Sequence, residues 1–213
     1  MTQTTSAQRW RRRKEARPTE LLDAALDVFF EKGFAGARLE DIATRAGVSK
    51  GTIYLYFGSK EDVFDALIRA IPQANVEQVR ALAGDPKIPA DELLGRVLRF
   101  IGGLIRDPRM IKFPRLIVGE AGNFPKLAET YKREVISRGA AILTRIIERG
   151  IEEGRLRPVD AQHAAYAAIA PLLFTAIWRT TFEQFDATPL DADAFVEQHI
   201  QTFLRGLLIE VGS

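Results

Sequence analysis

The stretch Leu39–Ala66, LEDIATRAGVSKGTIYLYFGSKEDVFDA, decides the fold. Ile42, Ala43 and Ala46 recur at helical spacing, and Gly47 supplies a turn conformation that a side chain would resist. Ser49 is a good N-cap for a short helix over about Lys50–Phe57, which Gly58 ends. Ser59-Lys60-Glu61-Asp62 then resembles a capping box, with Asp in place of the usual Glu. Two short helices joined by a tight turn and followed by a capped third form a helix-turn-helix, which lays its second helix in the major groove of DNA.

The neighbouring sequence supports that reading. Leu22, Ala25, Leu26, Phe29 and Phe30 form one apolar face of a helix opening at Pro18 or Thr19 and closing at Gly33. After the motif, a fourth helix carries Val63, Leu67 and Ile68 inward and is expected to kink or stop near Pro72. Val48, Ile53 and Phe57 can pack the reading helix against its neighbours. Lys50, Gly51, Thr52, Tyr54 and Tyr56 then remain for the outer faces. Gly51 permits close approach of the helix N-terminus, whose free N–H groups suit a phosphate. Lys60, in the first turn of the fourth helix, is placed to reach a second phosphate.

Charge is distributed to match. The 213 residues carry a net charge of +2, but residues 1–60 hold eleven Lys and Arg against seven Asp and Glu. A basic front on a near-neutral body suits a polyanion. Residues 1–16 read as a disordered basic arm, in which Arg9, Arg11, Arg12, Arg13 and Lys14, with Arg17 just beyond, are a second candidate contact. The equal alternative is a solvated tail.

Beyond Asp85-Pro86 the chain is a series of long helical patterns. Helices are expected near Ala90–Arg106, Pro108–Gly122, Pro125–Glu153, Ala161–Glu183 and Asp191–Val211, with no strand signal. The fold class is all-α: a basic arm over 1–16, a three-helix helix-turn-helix domain over 17–71, and a larger helical domain over 72–213.

Several classes are excluded or disfavoured. There is no cysteine, hence no disulfide framework and no thiolate nucleophile; no metal site and no cofactor is expected. HExxH, GxSxG and a phosphate loop followed by Lys are absent, and the two histidines, His163 and His199, form no catalytic pattern, so an enzyme is not expected. The longest uncharged run, Ala164–Trp178, is too short for a bilayer and contains Pro171. No apolar stretch follows the N-terminal arginines, so a cytoplasmic location without membrane attachment is expected.

Residues Arg17–Ile68, through LLDAALDVFFEKGF and DIATRAGVSKGTIYLYFGSKEDVFDALI, resemble the DNA-binding domain of the TetR family of bacterial transcription regulators. The resemblance implies an all-α homodimer whose front helices bind a double-stranded, usually palindromic, operator and whose body binds a small effector. It puts Lys50, Gly51, Thr52, Tyr54 and Tyr56 on the DNA-facing positions, beside the capping Ser49, and Lys60 on the family's phosphate-contacting lysine. One departure stands out. Ala37-Arg38 replaces the usual threonine pair, removing a hydroxyl cap worth roughly 1 kcal/mol and offering Arg38 as a phosphate contact, the equal alternative being a solvated arginine.

FPRLIVGEAGNFPKLAETYKREVISRG, from Phe113, is similar to the AcrR-like and AefR-like subset, which points to an apolar or amphipathic effector. Phe100, Leu104, Phe113, Leu116, Ile117, Phe174 and Trp178, with Glu120 and Tyr131 as polar groups, are the candidate pocket lining; Asn123 and Arg179 are further polar candidates. The last two helices, one rich in alanine and one carrying Phe195, Ile200, Phe203, Leu204, Leu207 and Leu208, are expected to form the dimer interface, as in that family. Repression relieved by ligand is the expected mode. The alternative is a regulator controlled by a protein partner, or constitutive.

Overall fold

The structure is a computed structural model that describes residues 6–209, with side chains from residue 18 onward. Helix α1 spans Ser6–Gly36. The stretch expected as a disordered arm thus enters α1 at Ser6, consistent with the helix propensity of Arg, Lys, Glu and Ala. Pro18 consequently lies inside α1 rather than at its start. The side chains of Arg9 to Arg17, and hence the expected arm contacts, lie outside the described residues.

Gly33 breaks the axis of α1 with a φ of 71°, a left-handed value that glycine adopts at no steric cost, and Phe34–Gly36 form a re-aimed final turn. The reading head is completed by α2 (Leu39–Arg45), α3 (Lys50–Tyr54) and α4 (Lys60–Ile68). Chain direction does not break at Pro72. A π-turn over Arg69–Gln73 carries α4 into α5 (Ala74–Ala83). Proline has no N–H for the α-helical bond to Ile68, and the wider turn accommodates its ring.

The body comprises α6 (Ala90–Gly103), α7 (Lys112–Glu120), α8 (Pro125–Tyr131), α9 (Ser137–Glu152), α10 (Ala161–Thr181) and α11 (Ala192–Leu207). A second π-turn, Lys132–Ile136, joins α8 to α9 and packs against the first. Helix α11 ends earlier than its apolar pattern. Leu208 pairs with Leu156 in a short bridge, in which the Arg157 N–H donates to the Leu207 carbonyl at 2.9 Å.

Two apolar cores organise the chain. One joins Leu21, Phe29, Phe34, Ile42, Ile53, Phe64 and Leu67 of the head to Phe113, Leu116, Leu127 and Tyr131 of α7 and α8. The other lies within the body, among Leu93, Leu94, Leu98, Ile146, Ile147, Ala165 and Ile200. The head therefore shares its core with part of the body.

Candidate nucleic-acid interface

The turn between α2 and α3 is built as the sequence requires. Gly47 takes a φ of 65°, and the Val48 N–H closes the turn on the Ala43 carbonyl at 2.9 Å. Ser49 caps α3: its Oγ accepts the Thr52 N–H at 3.2 Å and pairs with the Thr52 hydroxyl at 2.8 Å. Ile53 is fully buried, while Val48 and Phe57 are half-buried against the same core. The regular part of α3 is five residues, shorter than expected, because Leu55 to Phe57 close onto the Thr52 and Ile53 carbonyls.

Lys50, Gly51, Tyr54 and Tyr56 are exposed and Thr52 is half-exposed, so the outward set forms one surface. Leu55 belongs to it and was missed by the sequence reading. It is 84% exposed between the two tyrosines, a large apolar side chain suited to a thymine methyl. Glu40 was missed as well. Its Oε1 accepts a hydrogen bond from Lys50 Nζ at 2.6 Å and from the Tyr54 hydroxyl at 3.0 Å. The Lys50 bond, its own backbone N–H and then Tyr54 pull the Glu40 carboxyl down to about 2, and Glu40 raises Lys50 in turn. A glutamate ten and fourteen residues before its partners has no local sequence signal; only the turn brings them together.

The departure at Ala37-Arg38 has a visible consequence. Arg38 offers α2 no side-chain cap, and its guanidinium is exposed. Half of a capping box survives, because Asp41 Oδ2 accepts the Arg38 N–H at 3.2 Å. Asp41 is also tied to Lys32 at 2.8 Å, which together with that N–H keeps its carboxyl low.

Lys60 is half-buried and is not a free cation. Its Nζ donates to the Phe34 and Ala35 carbonyls at 2.7 and 3.1 Å and lies 4.7 Å from the Phe34 ring centre and 5.6 Å from that of Phe124. It caps the re-aimed end of α1. On the same turn, Glu120 at the end of α7 accepts the Phe34 N–H at 2.8 Å. A side chain at Gly33 would collide with that carboxylate, its Cβ falling 2.5 Å from Oε1.

The candidate effector residues are dispersed. Phe113, Leu116, Ile117 and Tyr131 are packed in the core shared with the head, where Phe113 stacks on Tyr131 at 6.4 Å and burial pushes the Tyr131 phenol up to about 12. Glu120 is committed to Phe34. Phe100 and Leu104 are half-buried, with Phe100 against the second core. Phe174 is half-exposed and packs at a tilt against Trp178, whose Nε1–H donates to Asp186 at 2.8 Å. Asn123 is exposed, and Arg179 donates to the Ile105 carbonyl at 2.8 Å. Among the described residues, none of the nine pocket candidates lines the best-formed surface grooves, one of which, about 720 Å³, is an open groove between α5 and α9 lined by Arg80, Arg138, Arg145, Ile142 and Ile146 among others. Among the described residues, no helix is long and apolar enough to cross a membrane.

The last two helices divide their apolar residues. Ala164, Ala165 and Ala168 of α10 and Ile200 and Leu207 of α11 face the chain's own core. Tyr166, Ala167, Ala170, Leu173 and Phe174 of α10 and Leu208 just beyond α11 face outward.

Comparison with known proteins agrees with this architecture. Residues 21–67 match the model of bacterial regulatory proteins of the tetR family, and residues 92–206 match that of the C-terminal domain of AefR-like transcriptional repressors. The transcriptional regulator RutR of Escherichia coli is 27% identical over 197 residues, covering 92% of this chain and 90% of RutR. The repressor NicS of Pseudomonas putida is 29% identical, covering 89% of each chain. The solved structure of FadR from Bacillus subtilis in complex with stearoyl-CoA shares the fold, with a TM-score of 0.68 at 23% identity over 88% of this chain and 98% of that one. A capped reading helix on an all-α body, together with family models spanning head and body, places this chain in the TetR family of transcriptional regulators, not among enzymes.

Proposed function

We propose that this protein is a homodimeric repressor that leaves a palindromic operator when its body takes up a small apolar or amphipathic effector. The reading surface is Lys50, Gly51, Thr52, Tyr54 and Tyr56, with Ser49 at the helix N-terminus; Arg38 and Lys60 serve phosphates at its flanks. Lys60 has one donor left beyond the two carbonyls it caps, enough for a phosphate oxygen.

The observation that carries the proposal is the shared core. Phe113, Leu116, Leu127 and Tyr131 pack directly on head residues, and Glu120 holds the head's backbone at Phe34. A ligand that shifts α7 or α8 thus shifts the reading head, so that ligand and operator compete for one conformational equilibrium. The outward face of α10 supplies the dimer contact, and two heads then read symmetric half-sites. The FadR complex with stearoyl-CoA offers a precedent for an amphipathic ligand on this fold.

Titrating an operator complex with apolar and amphipathic compounds tests the reading directly: one compound class should release the DNA while leaving the dimer intact. A second reading has its own support. The tight packing of Phe113, Leu116 and Tyr131 suits a regulator that answers to a protein partner, and retention of the operator at saturating levels of every compound class would favour it.

A further inference from the structure

Glu40 places a carboxylate among the side chains that face DNA, where phosphate charge would repel it. It is 41% exposed, and its carboxylate lies 2.6 Å from Lys50 Nζ and 3.0 Å from the Tyr54 hydroxyl. One residue of α2 thus holds two residues of α3, and the Lys50 ammonium lies 5.8 Å from the Tyr54 ring centre, closing the group.

We propose that Glu40 is a specificity-determining residue: it withholds Lys50 from arbitrary DNA and fixes Lys50 and Tyr54 in the orientation that reads bases. The inference rests on the reading surface proposed above. A free surface lysine gains affinity from any duplex by displacing a counterion from a phosphate, which steepens the salt dependence by about 0.9 per contact. Lys50 cannot make that gain cheaply. Moving to a phosphate would strand the Glu40 carboxylate beside a line of like charge, so the pair meets generic DNA as a neutral unit. At the operator the same pair is an asset, because a lysine and a tyrosine already held in one geometry lose less rotamer freedom on contacting base edges. Affinity for phosphate alone falls and affinity for the correct bases is retained, which is how specificity rises.

The test uses the full-length protein and its Glu40→Gln variant, binding both a selected operator and a scrambled duplex across a salt series. The amide keeps the shape at an exposed site, and matched thermal unfolding confirms the fold. Glu40→Gln should tighten binding to the scrambled duplex by about three- to tenfold at moderate salt and steepen its salt slope by about 0.9. Operator affinity should stay level or weaken, so the specificity ratio drops. Adding Lys50→Met to Glu40→Gln should remove the gained slope. An unchanged slope on scrambled DNA, or an equal gain on both duplexes, overturns the proposal. Lys50→Met alone separates the two layers. If it weakens operator binding while Glu40→Gln leaves the ratio intact, only the role of Glu40 falls; if it leaves operator binding untouched, the reading surface itself is wrong.

Discussion

At the residue scale, two side chains expected to serve ligands also hold one backbone turn. Lys60 caps the carbonyls of Phe34 and Ala35, and Glu120 accepts the Phe34 N–H. Neither role is legible in the sequence, because the partner is main chain exposed by the break at Gly33, and main-chain partners leave no pattern in side chains. Glu120→Ala should therefore destabilise the protein without any ligand, by about 1.5 kcal/mol, as for a hydrogen bond to a charged group. Thermal unfolding would show a fall of a few degrees; an unchanged midpoint would return Glu120 to a ligand role. Arg38, exposed and uncommitted to a cap, tests differently: Arg38→Ala should lower the salt slope of operator binding by about 0.9 and leave unfolding unaltered. Glu40 also has a pH signature. Its carboxyl lies at about 2 in the folded chain, below its ordinary value, so its ties to Lys50 and Tyr54 hold fully above the ordinary carboxyl range and are lost only as pH falls through about 2. The Glu40 carboxyl resonance should follow that course, and Lys50→Met should move it back toward ordinary values.

At the element scale, the helices of the head and their caps were readable because each rests on local chemistry: Gly47 for the turn, Ser49 and Ser59 for the caps, Gly33 for the break. Pro72 was readable as an irregularity but not as a π-turn, and the second π-turn contains neither proline nor glycine, so nothing in its residues announces it. It packs against the first. The end of α11 was likewise misjudged, since a bridge to Leu156 stops a helix whose apolar period runs on. Packing between elements yields a sharp contrast. A Cβ at Gly102 of α6 would fall 2.5 Å from Val196 Cγ1 of α11, whereas one at Gly119 of α7 meets nothing within 4 Å. Gly102→Ala should cost about 2 kcal/mol by overpacking. Gly119→Ala should gain up to about 1 kcal/mol from helix propensity. Denaturant midpoints of the two variants should move in opposite directions.

At the scale of the whole molecule, fold class followed from periodicity and the proposed reading surface rests on one motif, but the partition of the body was not legible. Large apolar residues on central helices look alike in sequence whether they line a pocket, fill a core or face a partner. Phe113 fills the shared core, and Phe174 faces outward. The outward face of α10 makes its own prediction: Leu173→Asp should convert a dimer to a monomer in sedimentation while leaving helix content intact, since Leu173 is exposed in the single chain. Operator recognition as proposed depends on Lys50 to Tyr56 reading sequence in symmetric half-sites. Selection of bound DNA from random duplexes tests it most directly. The native protein should select a two-fold symmetric motif, lost when Lys50 and Tyr54 are both replaced by alanine; recovery of no motif, or of the same motif by the double variant, would overturn a reading role for these residues.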